Sequence, residues 1–134
     1  MGLFTGKRPG DLGVKDGRLK AAPTTPNAVS SQAKGGYHQI APIRYAGTRD
    51  QAMAILKSII ERLPRTQIID SSADYLYAEF TSRLIGYVDD AEFYFPSSEN
   101  IIHVRSASRL GRSDFGTNRK RIEDLRARLA MMSR

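Results

Sequence analysis

Apolar residues between positions 48 and 63 recur at the spacing of an amphipathic helix. They lie three or four residues apart, as one face of a helix requires, and they are Ala52, Ile55, Leu56, Ile59, Ile60 and Leu63. Thr48 and Gln51 precede this run with the spacing of a capping box. Pro64 follows it and cannot continue a helix. We therefore predict a helix that begins after Thr48 and ends before Pro64.

Most other apolar residues alternate with polar ones, which is the pattern of half-buried strands. The alternation predicts strands at residues 38–45, 66–70, 75–82, 87–95 and 101–107. A last helix is predicted from about Thr117, with a narrow apolar stripe formed by Ile122, Leu125, Leu129 and Met132. The order β-α-β-β-β-β-α with hairpin connections indicates the α+β class, an antiparallel sheet of about five strands with both helices on one face.

The first 36 residues have a different composition from the rest. They hold seven of the eleven glycines and three of the six prolines and show no periodic apolar pattern. We predict that residues 1–36 form an irregular arm packed on a single α+β domain, residues 37–134.

Charge is distributed unevenly along the 134 residues, whose net charge is +7. The arm carries a net +4, residues 37–104 a net −3 and residues 105–134 a net +6. Either the basic flanks neutralise the acidic middle, or they present a surface to an anionic partner such as nucleic acid or membrane headgroups. The absence of cysteine excludes disulfides, thiolate nucleophiles and cysteine metal sites. No apolar run is long enough to span a membrane and no signal sequence is evident, so a cytoplasmic location is expected.

Several acidic residues fall within the predicted strands, together with one histidine. They are Glu79, Asp89, Asp90, Glu92 and His103, which we interpret as a structural charge network. Counting by twos places Asp89 on the same face as Ala91 and Phe93, the more apolar side of its strand. A buried carboxylate needs a cationic or backbone partner. We expect Arg83, Arg105 or Arg109 to supply it.

An arginine- and serine-rich loop leads from the last strand into the last helix. Together with Arg83, its candidate ligand-binding residues are Arg105, Ser106, Ser108, Arg109, Arg112 and Asn118. Guanidinium groups, hydroxyls and the free N–H groups of a helix start suit a phosphate or a carboxylate. Basic residues in the first turn of that helix oppose its dipole, and Asp114, a partner or a ligand would relieve this.

Catalytic patterns are sparse. The two histidines, His38 and His103, are not in a metal-ligand spacing, and no GxSxG motif occurs. Neither a metal nor a cofactor is predicted, although His103 with Glu79 or Glu92 is a weak metal candidate. A hydrolase-like enzyme using Asp90, Glu92 and His103 remains an alternative.

Five stretches together resemble the domain of unknown function 1499 family. They are GKRPGDLGVKDGRL at 6–19, TPNAVSSQA at 25–33, IAPIRY at 40–45, AEFTSRLIGYVDDAEF at 78–93 and HVRSASRLGRSDFGTNRKR at 103–121. The resemblance implies no reaction. It implies kinship with small bacterial proteins and plant relatives, some of them exported or lumenal in thylakoids. The family's arm usually carries two cysteines where this chain has Ala22 and Ala28.

Taken together, these patterns favour a non-catalytic binding or accessory module. We expect it to hold an anionic small ligand or a partner protein through the arginine/serine loop and the charged sheet face. Nucleic-acid binding by the basic last helix is a second alternative. It is disfavoured because the aromatic residues lie in the acidic middle of the chain, apart from the basic segments.

Overall fold

A computed structural model describes residues 4–132 of the chain. Within this range the strands are Ala28–Ser30 (β1), Ile43–Arg44 (β2), Thr66–Ser71 (β3), Tyr75–Thr81 (β4), Val88–Tyr94 (β5) and Ile101–Ser108 (β6). The helices are Arg49–Arg62 (α1) and Thr117–Met132 (α2). The first three residues of the predicted arm and the last two of the predicted domain lie outside the described residues.

All the strands belong to one antiparallel sheet, which confirms the predicted α+β class. The strand order is β1-β6-β5-β4-β3, and β2 also pairs with β6. The described part of the chain has six strands rather than about five, because the arm contributes β1, in which Ala28 pairs with Ala107 and Ser30 with Arg105. The sequence did not indicate this strand, because three residues are too few to show alternation.

The first predicted strand, residues 38–45, is much shorter than expected. Only Ile43 and Arg44 pair with β6, opposite Ile102 and Ile101. Pro42, directly before them, has no N–H group to donate to a neighbouring strand. The segment ahead of β2 is held instead by single backbone contacts, such as the Ile40 N–H donating to the Ser30 carbonyl at 3.4 Å.

Helix α1 has the predicted start and end. The Gln51 N–H donates to Oγ1 of Thr48 at 3.1 Å, and the Thr48 N–H donates to Oε1 of Gln51 at 3.1 Å. These reciprocal bonds satisfy two donors that a helix start otherwise leaves free. The helix ends at Arg62, and Leu63 is already extended, as a residue before proline prefers to be.

The two faces of the sheet are covered by different parts of the chain. On one face, the core joins sheet residues such as Leu76, Ala78 and Phe93 to the apolar sides of both helices. On the other face, Tyr75 and Tyr77 pack with Leu19, and Leu12 and Val14 of the arm lie against them. The predicted face of β5, which places Asp89 with Ala91 and Phe93, is confirmed. The helices cover one face, and the arm covers the other.

Candidate functional site

The predicted site residues are distributed over both faces of the sheet. The strand register aligns Tyr77, Glu92 and Arg105 in one row under the arm and Phe80, Asp89 and Ser108 in one row under the helices. The predicted set therefore divides into an arm-side cluster (Glu79, Asp90, Glu92, His103, Arg105 and Arg109), a helix-side cluster (Asp89, Ser106, Ser108 and Asn118) and two exposed arginines, Arg83 and Arg112.

Arg109 is the centre of the arm-side cluster. Its Nε and Nη2 donate to the two oxygens of Asp90 at 2.9 Å and 2.8 Å, and Nη2 also bonds Glu79. Arg8 of the arm donates to the same Glu79 oxygen at 2.6 Å. The hydrogen bond from Arg8 lowers the pKa of Glu79, and Arg109 lowers it further, against an opposing effect of burial. The Arg109 guanidinium is thus occupied by two carboxylates of its own chain.

Glu92 and Arg105 form a buried pair beneath the arm. The Tyr75 hydroxyl and the Gly13 N–H donate to Glu92 Oε2 at 2.6 Å and 2.8 Å. Glu92 Oε1 lies 3.8 Å from Arg105 Nη1 and accepts no hydrogen bond. Burial raises the pKa of Glu92 and lowers the pKa of Arg105. Arg105 also donates to the Ala21 carbonyl at 3.3 Å, so this pair holds the arm at two points.

His103 is bonded within the framework. Its Nδ1 lies 3.0 Å from the Ser31 hydroxyl, and its ring stacks on Tyr94 with centroids 6.4 Å apart. Burial lowers the pKa of His103. Within residues 4–132, no three acidic or histidine side chains are grouped as a metal ion would require. Asp90, Glu92 and His103 do not line any of five cavities formed by residues 4–132.

Asp89 has the cationic partner that its position requires, but the partner is Arg121. Arg121 Nη2 lies 2.8 Å from Asp89 Oδ2. The expectation of Arg83, Arg105 or Arg109 was wrong. Arg105 and Arg109 contact acids on the arm side of the sheet, whereas Asp89 is on the side covered by α2.

Asp114 caps the start of α2. Its carboxylate accepts from the Gly116 N–H at 2.9 Å, the Asn118 N–H at 3.1 Å and the Asn118 amide at 2.8 Å. Burial raises the pKa of Asp114, but the bonds from Asn118, Tyr37 and the backbone outweigh it, so the pKa is lowered overall. Asp114 thus supplies the negative charge that the basic first turn requires.

The hydroxyl and amide groups of the helix-side cluster bond mainly to one another. Ser106 donates to Asn118 Oδ1 at 2.6 Å, and Asn118 Nδ2 donates to Ser108 Oγ at 3.0 Å. Asn118 is completely buried and also donates to the Asn27 carbonyl at 3.2 Å. These bonds connect the start of α2 to β6 and to the arm.

Arg83 and Arg112 are exposed, and neither side chain has a hydrogen bond or ion pair in the described part of the chain. Arg83 lines a groove of about 380 Å³ that is bounded by the start of α2, the start of β3 and the end of β4. Arg65 and Lys120 line the same groove and are likewise exposed and unpaired within residues 4–132. Arg65 is not among the site residues predicted from the sequence. No local pattern marks it, because it meets Arg83 and Lys120 only in the folded chain.

Several basic side chains of α2 are bonded within the protein. Arg119 donates to the Tyr37 carbonyl and, at 3.0 Å, to that of Gln39. Arg126 donates to the carbonyls of Ala41 and Pro42, each at 2.7 Å. These side chains fasten the segment ahead of α1 to α2, so they do not form a free basic row.

A family model matches most of the chain. The model of the family described as "Protein of unknown function (DUF1499)" matches residues 18–129. The chain belongs to the DUF1499 family. In this DUF1499 protein the match includes all six described strands, α1 and most of α2, and with them the groove. No curated protein and no solved structure matched the chain. Neither described helix of this DUF1499 protein is long and apolar enough to cross a membrane.

Proposed function

We propose that this chain is a non-catalytic binding module that holds an anionic group in the groove beside the start of α2. The observation that carries the proposal is the set of three unpaired cations around one cavity, Arg65, Arg83 and Lys120. Arg83 belongs to the residues that the sequence analysis selected. Arg105 and Arg109 contribute less, because acids of the same chain already occupy them.

The charge balance of the groove supports this function. Its two carboxylates, Asp89 and Asp124, are paired with Arg121 and Arg128, each at 2.8 Å. The positive charge of the three remaining cations is therefore not neutralised by neighbouring acids. Such a cavity attracts anions, and its field strengthens where the walls exclude water.

The donor set suits an oxyanion such as phosphate, sulfate or a carboxylate. A guanidinium group binds these through two parallel N–H bonds, and an ammonium group binds them as a point charge. Thr117 and Thr81 add hydroxyl groups to the lining. The hydroxyl groups can therefore donate to a second oxygen of the ligand while the cations bind the first.

Thermal unfolding in the presence of inorganic phosphate tests the proposal. Because an anion bound only to the folded state stabilises it, the melting temperature should rise with phosphate concentration. At a hundred times the dissociation constant, the gain should be about 2.7 kcal/mol. Sodium chloride at matched ionic strength controls for screening.

Two matched variants locate the effect. Arg83→Gln should weaken the stabilisation by phosphate, whereas Arg112→Gln, which removes an exposed arginine outside the groove, should leave it unchanged. Equal losses of phosphate stabilisation in both variants would show that the effect comes from general surface charge and not from the groove. No stabilisation by phosphate, sulfate or a carboxylate would contradict the proposal.

A further inference from the structure

Two loops beside the groove expose large apolar side chains. Leu84, in the loop between β4 and β5, is 92% exposed, and Phe115, in the loop before α2, is 90% exposed. Ile85 and Leu110 in the same loops are 52% and 40% exposed. Single exposed apolar residues are common, but a group of them marks an interaction surface.

The two loops lie side by side. Ile85 and Tyr87 of the first loop and Leu110 and Phe115 of the second line one cavity of about 300 Å³. The Arg109 N–H also donates to the Val88 carbonyl at 3.2 Å, which joins the bases of the loops. The apolar side chains that line this cavity therefore form one patch, and Leu84 precedes Ile85 at its edge. We call these five residues the apolar loop patch.

The apolar loop patch is continuous with the cationic groove. Ser82, Asp89 and Thr117 line both cavities. Leu84 follows the unpaired Arg83 directly, and Arg112 belongs to the same loop as Phe115. Apolar side chains at the loop ends are thus bordered by cations that have no acid partner in the described structure.

We propose that the apolar loop patch and the groove together bind the surface of an anionic phospholipid bilayer, an inference that rests on the anion-binding function proposed above. Leu84 and Phe115 enter the boundary between headgroups and acyl chains, and Arg83, Lys120 and Arg112 contact lipid phosphates. This combination of apolar insertion and attraction to anionic headgroups is how peripheral proteins bind membranes.

Charge distinguishes a bilayer from a second copy of the chain. In a two-fold symmetric dimer the patch would meet itself, so the unpaired cations of one copy would face those of the other. The net charge of +7 adds to that repulsion. A small free anion, in turn, makes no use of Leu84 or Phe115. An anionic lipid surface satisfies both the cations and the apolar side chains.

Vesicle co-sedimentation with the full chain tests the inference. The chain should bind vesicles of phosphatidylcholine mixed with phosphatidylserine and should not bind vesicles of phosphatidylcholine alone. Binding should weaken as salt increases, because the headgroup attraction is screened. Leu84→Ser and Phe115→Ser should each weaken binding about tenfold, since each removes one inserted side chain.

Met131→Ser provides the matched control. Met131 is 71% exposed but lies at the other end of α2, beside Ile59 and Arg62. It should therefore leave vesicle binding unchanged. All three side chains make little contact with the protein, so the variants should melt at the temperature of the parent chain, which verifies that they fold.

The outcomes separate this inference from the proposed function. If inorganic phosphate stabilised the chain but vesicles did not bind, the proposal of bilayer binding would be overturned and the proposed anion site would stand. Equal binding to both vesicle types, or binding unaffected by Leu84→Ser and Phe115→Ser, would also overturn it. The inference would also be overturned if the chain did not bind vesicles and instead formed a dimer that Phe115→Ser dissociates.

Discussion

Arg121 connects α2 to the sheet by placing its Nη2 2.8 Å from Oδ2 of Asp89. Its guanidinium carbon also lies 4.6 Å from the ring centroid of Phe80 on β4. One arginine thus pairs with a carboxylate on β5 and stacks on an aromatic ring of the neighbouring strand. Since both partners lie beside the groove, this contact also fixes one of its walls.

Removing Asp89 should leave the Arg121 charge without its partner. We expect Asp89→Ala to lower the free energy of unfolding by about 3 kcal/mol, because removing one member of a largely buried ion pair leaves the other charge buried without a partner. Urea denaturation measures the change. Asp124→Ala, which breaks the exposed pair with Arg128, is the control and should cost less than about 1 kcal/mol. Equal midpoints for parent and Asp89→Ala would contradict a structural role for the pair.

Arg109 should not tolerate replacement by lysine. Its two bonds to Asp90 use the planar fork of the guanidinium group, which an ammonium group cannot reproduce. We expect Arg109→Lys to destabilise the fold by about 2 kcal/mol in urea denaturation, the value of one or two charge-assisted bonds. Arg128→Lys changes an exposed arginine in the same way and should have little effect. Comparable losses in the two variants would show that the geometry at Asp90 is unimportant.

Gly13 should be needed to keep the arm on the sheet. Its φ angle is +118°, which side chains rarely adopt, and its N–H donates to the buried Glu92. Gly13→Ala should therefore cost about 1–3 kcal/mol of local strain. In the docked arm the Leu19 N–H donates to Gln32 Oε1 at 2.8 Å. Hydrogen exchange at the Leu19 amide should therefore be faster in this variant.

Gly10→Ala is the matched control for this experiment. Gly10 has no positive φ angle and no atom within 4 Å of an added Cβ. Exchange at Leu19 should stay at the parent rate in this variant. A parent rate in Gly13→Ala as well would show that the arm does not depend on this contact.

The two glutamates under the arm should make stability respond to pH in opposite directions. Hydrogen bonding to Arg8 lowers the pKa of Glu79, so its stabilising effect is present above the ordinary value of 4.5 and is lost as pH falls through the lowered pKa. Burial raises the pKa of Glu92, so its contribution is present below 4.5 and is lost as pH rises through the raised pKa.

Comparison with Glu79→Gln and Glu92→Gln over a series of pH values measures each effect. As the pH falls towards 4.5, the free energy of unfolding of the parent should increase relative to that of Glu92→Gln. As the pH falls below 4.5, the free energy of unfolding of the parent should decrease relative to that of Glu79→Gln. The free energies of unfolding come from urea curves at each pH. A change of the same sign for both variants would contradict the assignment.

Local signals in the sequence were enough to predict α1, the faces of β5, and the start of α2. The capping box of α1 involves residues three positions apart, and the alternation in β5 assigns Asp89 to its face without reference to any other element. Strand β1 could not be predicted in this way. Its three residues pair only because β6 offers a free edge.

The partners of the charged residues also depend on distant parts of the chain. Arg121 meets Asp89 only after α2 has packed on the sheet at a particular rotation, which no local pattern specifies. The groove likewise brings Arg65, Arg83 and Lys120 together from three separate segments. Local patterns therefore indicate the type of chemistry and one of these cations, Arg83, but not the complete set.

The pairing of β1 with β6 has a consequence for synthesis on the ribosome. Ser30 lies opposite Arg105, so β1 cannot join the sheet until 75 further residues have been translated. At about 5–20 residues per second, that delay is roughly 4–15 s. During this interval β1 cannot complete the sheet, and a chaperone has time to engage the arm.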